Sequence, residues 1–213
     1  MKQLDTNFCD MIRRRRIIAI LRHLPEDQLI PVFRALAQAG IQLIEITMNT
    51  AAAARQIAQA REHFSDRLII GAGTVSTPAR AREALAAGAR FLVTPNLDLQ
   101  VVRVAQEADC PVIPGVLTPT EMMTAVNAGV SVLKLFPAAR MGLGYLKDIL
   151  APLDDLNIIA VGGITAENAL DWLHAGCIAV GMGSALVSSE HLQSGDYETL
   201  QTEVRQLVDK LTC

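Results

Sequence analysis

Eight times along the chain a short run rich in β-branched and aliphatic residues gives way to a longer amphipathic or alanine-rich stretch. The short runs are Ile17–Leu21, Leu43–Thr47, Leu68–Ala72, Phe91–Thr94, Val112–Pro114, Val132–Phe136, Ile158–Val161 and Ala179–Met182. The longer stretches are Glu26–Ala39, Ala51–His63, Pro78–Ala87, Leu99–Ala108, Thr118–Ala128, Gly144–Leu150, Ala166–His174 and Tyr197–Leu211. Such alternation predicts parallel strands joined by crossover helices. Gly40, Gly88, Gly129 and Gly176 each follow an alanine where a helical stretch ends, the place at which glycine takes the left-handed conformation that stops a helix. An open, doubly wound sheet usually has fewer strands and a glycine-rich first crossover, whereas Leu21–Gln28 contains no glycine. Count and spacing therefore predict an α/β chain closed into a (β/α)8 TIM barrel: one domain over residues 1–213 with a short N-terminal helix.

The balance of residue types narrows the partners. Apolar residues make up 51% of the chain and charged residues 19%, enough to build a core throughout. A formal net charge of -3 supplies no global positive field, so nucleic acid and anionic membranes are not expected partners and a small molecule is. Arg13, Arg14, Arg15 and Arg16 form the one basic run. It reads as a solvated helix end or a nucleic-acid patch, and its last members are candidates to face a phosphate. No window approaches the ~18 apolar residues of a membrane span, and no signal-peptide core follows the N-terminus, so a cytoplasmic protein is expected. Cys9, Cys110, Cys177 and Cys213 show no C-x-x-C pair and are expected as reduced thiols.

A barrel of this class builds its active site at the C-terminal ends of its strands. Lys134 stands inside the sixth candidate strand, Val132–Phe136, whereas Lys2, Lys147 and Lys210 lie in a terminus or on helices. Side chains alternate across a strand, so Lys134 and Phe136 share one face and Leu133 and Leu135 the other. If the leucines pack on helices, the amine points into the barrel. Desolvation there favours the free amine, a nucleophile that forms an imine with a carbonyl. A structural lysine paired with an acid is the alternative. Glu45 is likewise a lone ionisable group in Leu43–Thr47, sharing its face with Leu43 and Thr47. It is a candidate acid/base opposite the lysine, or else a buried ion-pair partner.

Arg22 follows the first strand with the parity of Ile18 and Ile20, where its guanidinium suits a phosphate or carboxylate, or is simply solvated. Gly162 and Gly163 end the seventh strand, and Gly183 and Ser184 end the eighth. Barrels often bind phosphate with backbone N–H groups of these two loops. Thr74, after the third strand, can hold a carboxylate through its hydroxyl and amide, and Pro95 and Asn96 stand at the same rim. Only His23 of the four histidines lies near a strand's C-terminal end, so no metal cluster is expected. That leaves covalent chemistry by the lysine.

Taken in order, Ile20-Leu21-Arg22, Glu45-Ile46-Thr47, Gly71–Val75, Val93–Asn96, Ile113–Gly115, Lys134–Ala138, Gly162-Gly163 and Gly183-Ser184 resemble the 2-keto-3-deoxy-6-phosphogluconate (KDPG) aldolase family over nearly the whole chain. That family includes the 4-hydroxy-2-oxoglutarate aldolases and the aldolases of the galactonate epimer. The resemblance implies a class I aldolase in a homotrimer, needing no cofactor, with Lys134 as Schiff-base lysine and Glu45 as acid/base. It implies Thr74 and Pro95 in a pyruvate pocket, Phe136 and Arg22 against the substrate, and Gly162, Gly163, Gly183 and Ser184 around its phosphate. Asn49 departs from the arginine of many gluconate-type members and matches the galactonate type, which leaves the C4 epimer and chain length open.

The reaction so implied cleaves a 2-keto-3-deoxy-6-phospho sugar acid to pyruvate and glyceraldehyde 3-phosphate. Two further readings fit the residues alone: a phosphate-binding isomerase or epimerase in which Lys134 stabilises an enolate, and a sugar-phosphate sensor without catalysis.

Overall fold

The computed structural model describes residues 2–212. In chain order the elements are α1 (Lys2–Arg15), β1 (Ile17–Leu21), a 3-10 turn (Glu26–Gln28) running into α2 (Leu29–Gln38), β2 (Leu43–Thr47), α3 (Ala53–Phe64), β3 (Ile69–Gly73) and α4 (Pro78–Ala86). There follow β4 (Leu92–Val93), α5 (Leu99–Glu107), β5 (Val112–Ile113), β6 (Gly115–Val116), α6 (Pro119–Asn127), β7 (Leu133–Leu135) and α7 (Ala138–Leu150). The chain continues through β8 (Ile158–Val161), α8 (Ala169–His174), β9 (Ala179–Met182), α9 (Ser189–Ser194) and α10 (Tyr197–Thr212).

All pairings are parallel, in the order β5-β4-β3-β2-β1-β9-β8-β7-β6. The two outer members, β5 and β6, are halves of one extended segment parted at Pro114. A proline has no N–H to give to a ladder. Its carbonyl still accepts the Lys134 amide at 2.9 Å. The sheet therefore closes on itself through residues 112–116, and the architecture is the expected (β/α)8 barrel.

Alternation along the strands separates two cores. Ile44 and Ile46 pack outward with the helices, while Leu43 belongs to an inner cluster with Ile18, Phe91, Val93, Ile113, Val132 and Ile159. Phe8, Cys9 and Ile12 of α1 join that inner cluster, and the Phe8 and Phe91 rings stand 5.6 Å apart. Thus α1 closes the end of the barrel where the strands begin. Gly71 makes room for this packing, since a Cβ there would lie 2.5 Å from the Phe91 ring.

Several expectations shift. Arg13, Arg14 and Arg15 are exposed at the end of α1, and Arg13 donates to the Asn157 side chain at 2.6 Å just before β8. This is the mouth at the strands' N-terminal ends, so the arginine run does not reach the opposite rim as a phosphate ligand would have to. The helix expected from Gly144 begins at Ala138, its axis broken at Gly142 (φ 81°, ψ 167°), because two glycines conceal the helical pattern. The helix expected from Ala166 begins at Ala169, and α9 had no distinct signal. Cys9, Cys110 and Cys177 are free thiols, while Cys213 lies outside the described residues. No described helix is long and apolar enough to cross a membrane.

Candidate active site

Lys134 is the centre residue of β7, held between Gly115 of β6 and Ile159 of β8. Its neighbours Leu133 and Leu135 are in the outer core, so its side chain enters the barrel, where it is 6% exposed. Glu45 is the centre of β2, between Ile20 of β1 and Gly71 of β3, and is 3% exposed. Burial pushes the Lys134 amine below the ordinary lysine range, against the opposing pull of Glu45. Burial pushes the Glu45 carboxyl up, against the pull of Lys134 and then of Arg22. Each charge feels the other, yet the two make no direct ion pair; those among the described residues are Arg55–Glu26, Arg67–Asp66 and His191–Glu203. The space between amine and carboxylate is left to a third group.

Glycines shape that space. The register partner of Glu45 is Gly71, but its carboxylate leans toward the C-terminal rim and fills the place of a side chain at Gly73, whose Cβ would stand 2.8 Å from Glu45 Cδ. At Gly115 a Cβ would come within 2.9 Å of the Asn96 amide, so only glycine lets the Pro95–Asn96 peptide lie across the mouth. Thr94, fully buried, fixes this peptide: its hydroxyl donates to the Asn96 carbonyl and accepts from the Gly115 amide at 3.2 Å. Thr74 follows Gly73 in the left-handed region (φ 54°), costly for a β-branched residue at about 1–3 kcal/mol. Pro95 and Thr74 are half-buried at this rim.

Phe136 is exposed above the lysine, its ring centroid 4.9 Å from Lys134 Nζ. It also lines a cavity of about 560 Å³ bounded by Ile20, Arg22, His23, Val161, Gly162, Gly163, Gly183 and Ser184 among others. Gly162 (φ 95°) and Gly163 (φ 76°) turn through conformations that glycine tolerates best, and Asn168 clamps their loop by donating to the Gly163 carbonyl and accepting from the Thr165 amide. Arg22 is exposed at the cavity edge, and the Asn49 side chain is exposed on the turn after β2. The two loops are joined by a hydrogen bond from the His23 amide to Thr50 Oγ1.

The structure thus gathers the residues singled out on the strands and their following loops, though not the arginine run, toward the C-terminal rim in two linked regions: a deep one around Lys134 and Glu45, and a shallower one around the glycine loops, with Phe136 touching both. Thr94, Gly73 and Gly115 were not singled out for their roles, although a threonine at the end of an apolar strand run and glycines at inward positions were visible signals. Among the described residues no three of His, Cys, Asp and Glu gather as a metal site. A buried amine of lowered basicity and a buried carboxyl of raised proton affinity, beside glycine-loop amides suited to a phosphate, can perform imine chemistry on a phosphorylated carbonyl compound.

Known proteins resemble this chain in sequence and fold. The profile of the family described as "KDPG and KHG aldolase" matches residues 9–203. The 2-dehydro-3-deoxy-6-phosphogalactonate aldolase of Escherichia coli (strain K12) is 37% identical over 171 residues, 80% of this chain and 83% of that one. The 2-dehydro-3-deoxy-phosphogluconate aldolase of Dickeya dadantii (strain 3937) is 31% identical over 209 residues, 98% of both chains. Among solved structures, KDPG aldolase from Legionella pneumophila, with pyruvate captured as a covalent carbinolamine intermediate, superposes with a TM-score of 0.87 at 30% identity, covering 94% of this chain and 97% of that one. With a family profile spanning nearly all of its barrel, this chain belongs to the KDPG and KHG aldolase family.

Proposed function

We propose that Lys134 is the Schiff-base lysine of this class I aldolase, that Glu45 moves the protons, and that the substrate is a 2-keto-3-deoxy-6-phospho sugar acid of gluconate or galactonate configuration. One observation carries the reading: a lone buried amine and a lone buried carboxyl face each other inside the barrel near its active rim, without pairing directly. Such a pair is costly for stability and suited to chemistry.

The neutral amine adds to the C2 ketone and loses water to give a protonated imine. Glu45 accepts the C4 hydroxyl proton while the C3–C4 bond breaks. The electron pair of that bond flows into the imine as an enamine, and C4 leaves as the aldehyde of glyceraldehyde 3-phosphate. Protonation of the enamine at C3 and hydrolysis release pyruvate and the free amine. Thr74 and Pro95 would hold the pyruvate moiety, with Phe136 packed over the imine and Arg22 and Asn49 against the sugar chain. The amides of Gly162, Gly163, Gly183 and Ser184 would take the phosphate, since glycine lets a backbone amide approach an anion closely.

The same reading takes residues 1–213 as one barrel domain acting in the cytoplasm. It takes the assembly as a homotrimer, which sedimentation would report as three times 22.9 kDa. Pyruvate and sodium borohydride should leave a reduced pyruvyl adduct on Lys134, located by peptide mass spectrometry. An unmodified Lys134 in active protein, or a Lys134→Met variant with wild-type turnover, would overturn the assignment. Parallel assays of both C4 epimers read the preference.

A further inference from the structure

The wall of the cavity of about 560 Å³ is one-sided in charge. Arg22 and His23 are its only ionisable residues, no carboxylate joins them, and the loops at Gly162, Gly163 and Gly183 add backbone amides. A space offering a guanidinium and N–H donors but no acid selects an anion. Of the four histidines, His23 alone stands on this wall. His63 donates to the Gln59 carbonyl at 2.9 Å, His191 is held between Ser188 and Glu203, and His174 lies at the exposed end of α8. His23 is exposed, and its ring makes no hydrogen bond or ion pair with any described residue.

The backbone beneath this ring is fixed. His23 adopts φ 52°, a left-handed conformation uncommon outside glycine that persists where surrounding contacts impose it. Four such contacts follow one another along the segment. The His23 amide donates to Thr50 Oγ1 at 3.2 Å, the Leu24 carbonyl accepts from the buried Gln56 side chain at 2.7 Å, Glu26 pairs with Arg55, and the Gln28 side chain donates to the Leu192 carbonyl at 3.0 Å. Three of these ties run to the turn after β2 and to α3, and the fourth runs to α9, whose Leu192 lines the same cavity. The segment bearing His23 is thus preorganised at the cavity, which lowers the ordering cost of any contact made from it.

We propose that His23 is a specificity-determining residue, its ring N–H donating to the substrate's phosphate beside the glycine-loop amides and so favouring a phosphorylated sugar acid over the same acid without phosphate. This rests on the assignment of the glycine-loop cavity to the phosphate. A neutral imidazole carries one ring N–H and an imidazolium two, so the ring can donate in either form. The contact is remote from the imine, and its contribution falls on substrate binding rather than on bond cleavage.

The test is His23→Gly in the full-length protein, assayed with a 2-keto-3-deoxy-6-phospho sugar acid and with the same acid lacking its phosphate. Glycine adopts the left-handed conformation readily, so the substitution removes the ring and leaves the loop and Arg22 in place. KM for the phosphorylated substrate rises about tenfold, the scale of one hydrogen bond to a charged group, with kcat within about twofold. On the phosphate-free acid kcat/KM stays at the wild-type value, so the preference for the phosphorylated substrate drops by the same factor. Melting temperature and pyruvate trapping on Lys134 stay near wild type, which separates the effect from misfolding. An unchanged KM for the phosphorylated substrate overturns the proposal, as does an equal loss on both substrates, which would make His23 a support of the rim. Failure of the underlying phosphate assignment has a different signature: wild-type protein that shows no preference for the phosphorylated acid.

Discussion

The carboxylate of Glu45 occupies the space that a side chain at Gly73 would fill. Neither residue lies on the other's strand, and register alone would set Glu45 against Gly71. The acid therefore depends on an absent Cβ two residues along the next strand.

Gly73→Ala tests this dependence. The added carbon would stand 2.8 Å from Glu45 Cδ, so the carboxyl must swing away. Over-packing of this kind costs about 1–3 kcal/mol, and displacing a reacting group by about an ångström costs on the order of a hundredfold in rate. Turnover should fall far more than the melting temperature does, whereas pyruvate trapping on Lys134 persists. Equal activity in glycine and alanine proteins would detach Glu45 from catalysis.

Much of this site was legible before any geometry, for a physical reason. An ionisable residue in a β-branched run is costly, so Lys134 and Glu45 announced themselves, and alternation gave their direction. The limits of β1, β2, β8 and β9 also followed from the run of apolar residues alone. What escaped notice is what depends on shape. The clearance at Gly73 and Gly115 arises from close contacts between segments distant in sequence, the start of α7 was hidden by its own two glycines, and the break at Pro114 that divides one strand into β5 and β6 follows from proline's missing N–H. The arginine run is the solvated helix end its composition suggested, although a charge cluster next to β1 carries no mark of which mouth it faces.

The depressed basicity of Lys134 has a direct kinetic reading. Burial favours the uncharged amine, so the fraction able to attack pyruvate rises at lower pH than for an ordinary lysine. The borohydride-trapping rate measured against pH should reach its midpoint below 10.5, and Glu45→Gln, which removes the group that pulls the amine's basicity up, should move that midpoint lower still. A midpoint at or above 10.5 would mean the amine is solvated.

Glu45 makes the stability of the wild-type protein depend on pH in a sense opposite to most carboxylates. Its proton is held to a higher pH in the folded chain than the ordinary 4.5, so between those values the native state binds more protons than the unfolded one. Stability from this group is complete below 4.5 and is lost as pH rises through the folded value. Surface acids contribute equally to wild type and Glu45→Gln, so the difference between their denaturation curves isolates it. The gap should narrow as pH rises above 4.5, wild type losing ground; a pH-independent gap would place the carboxyl in a solvated setting.

The shallow and deep regions of the site should separate experimentally at Gly163. That residue turns at φ 76°, and a Cβ on it would lie 2.6 Å from the Cβ of Ala139 at the start of α7, so alanine strains the loop twice over. The loop's amides would then lose their aim at a phosphate some distance from the imine. Gly163→Ala should raise KM for a phosphorylated substrate by about tenfold or more, the scale of one lost charge-assisted hydrogen bond. Pyruvate has no phosphate, and its capture on Lys134 should proceed at the wild-type rate. If trapping fell in step with KM, the glycine loop would be supporting the fold of the whole rim rather than binding the phosphate, and the anion site would have to be sought around Arg22 and Ser184 instead.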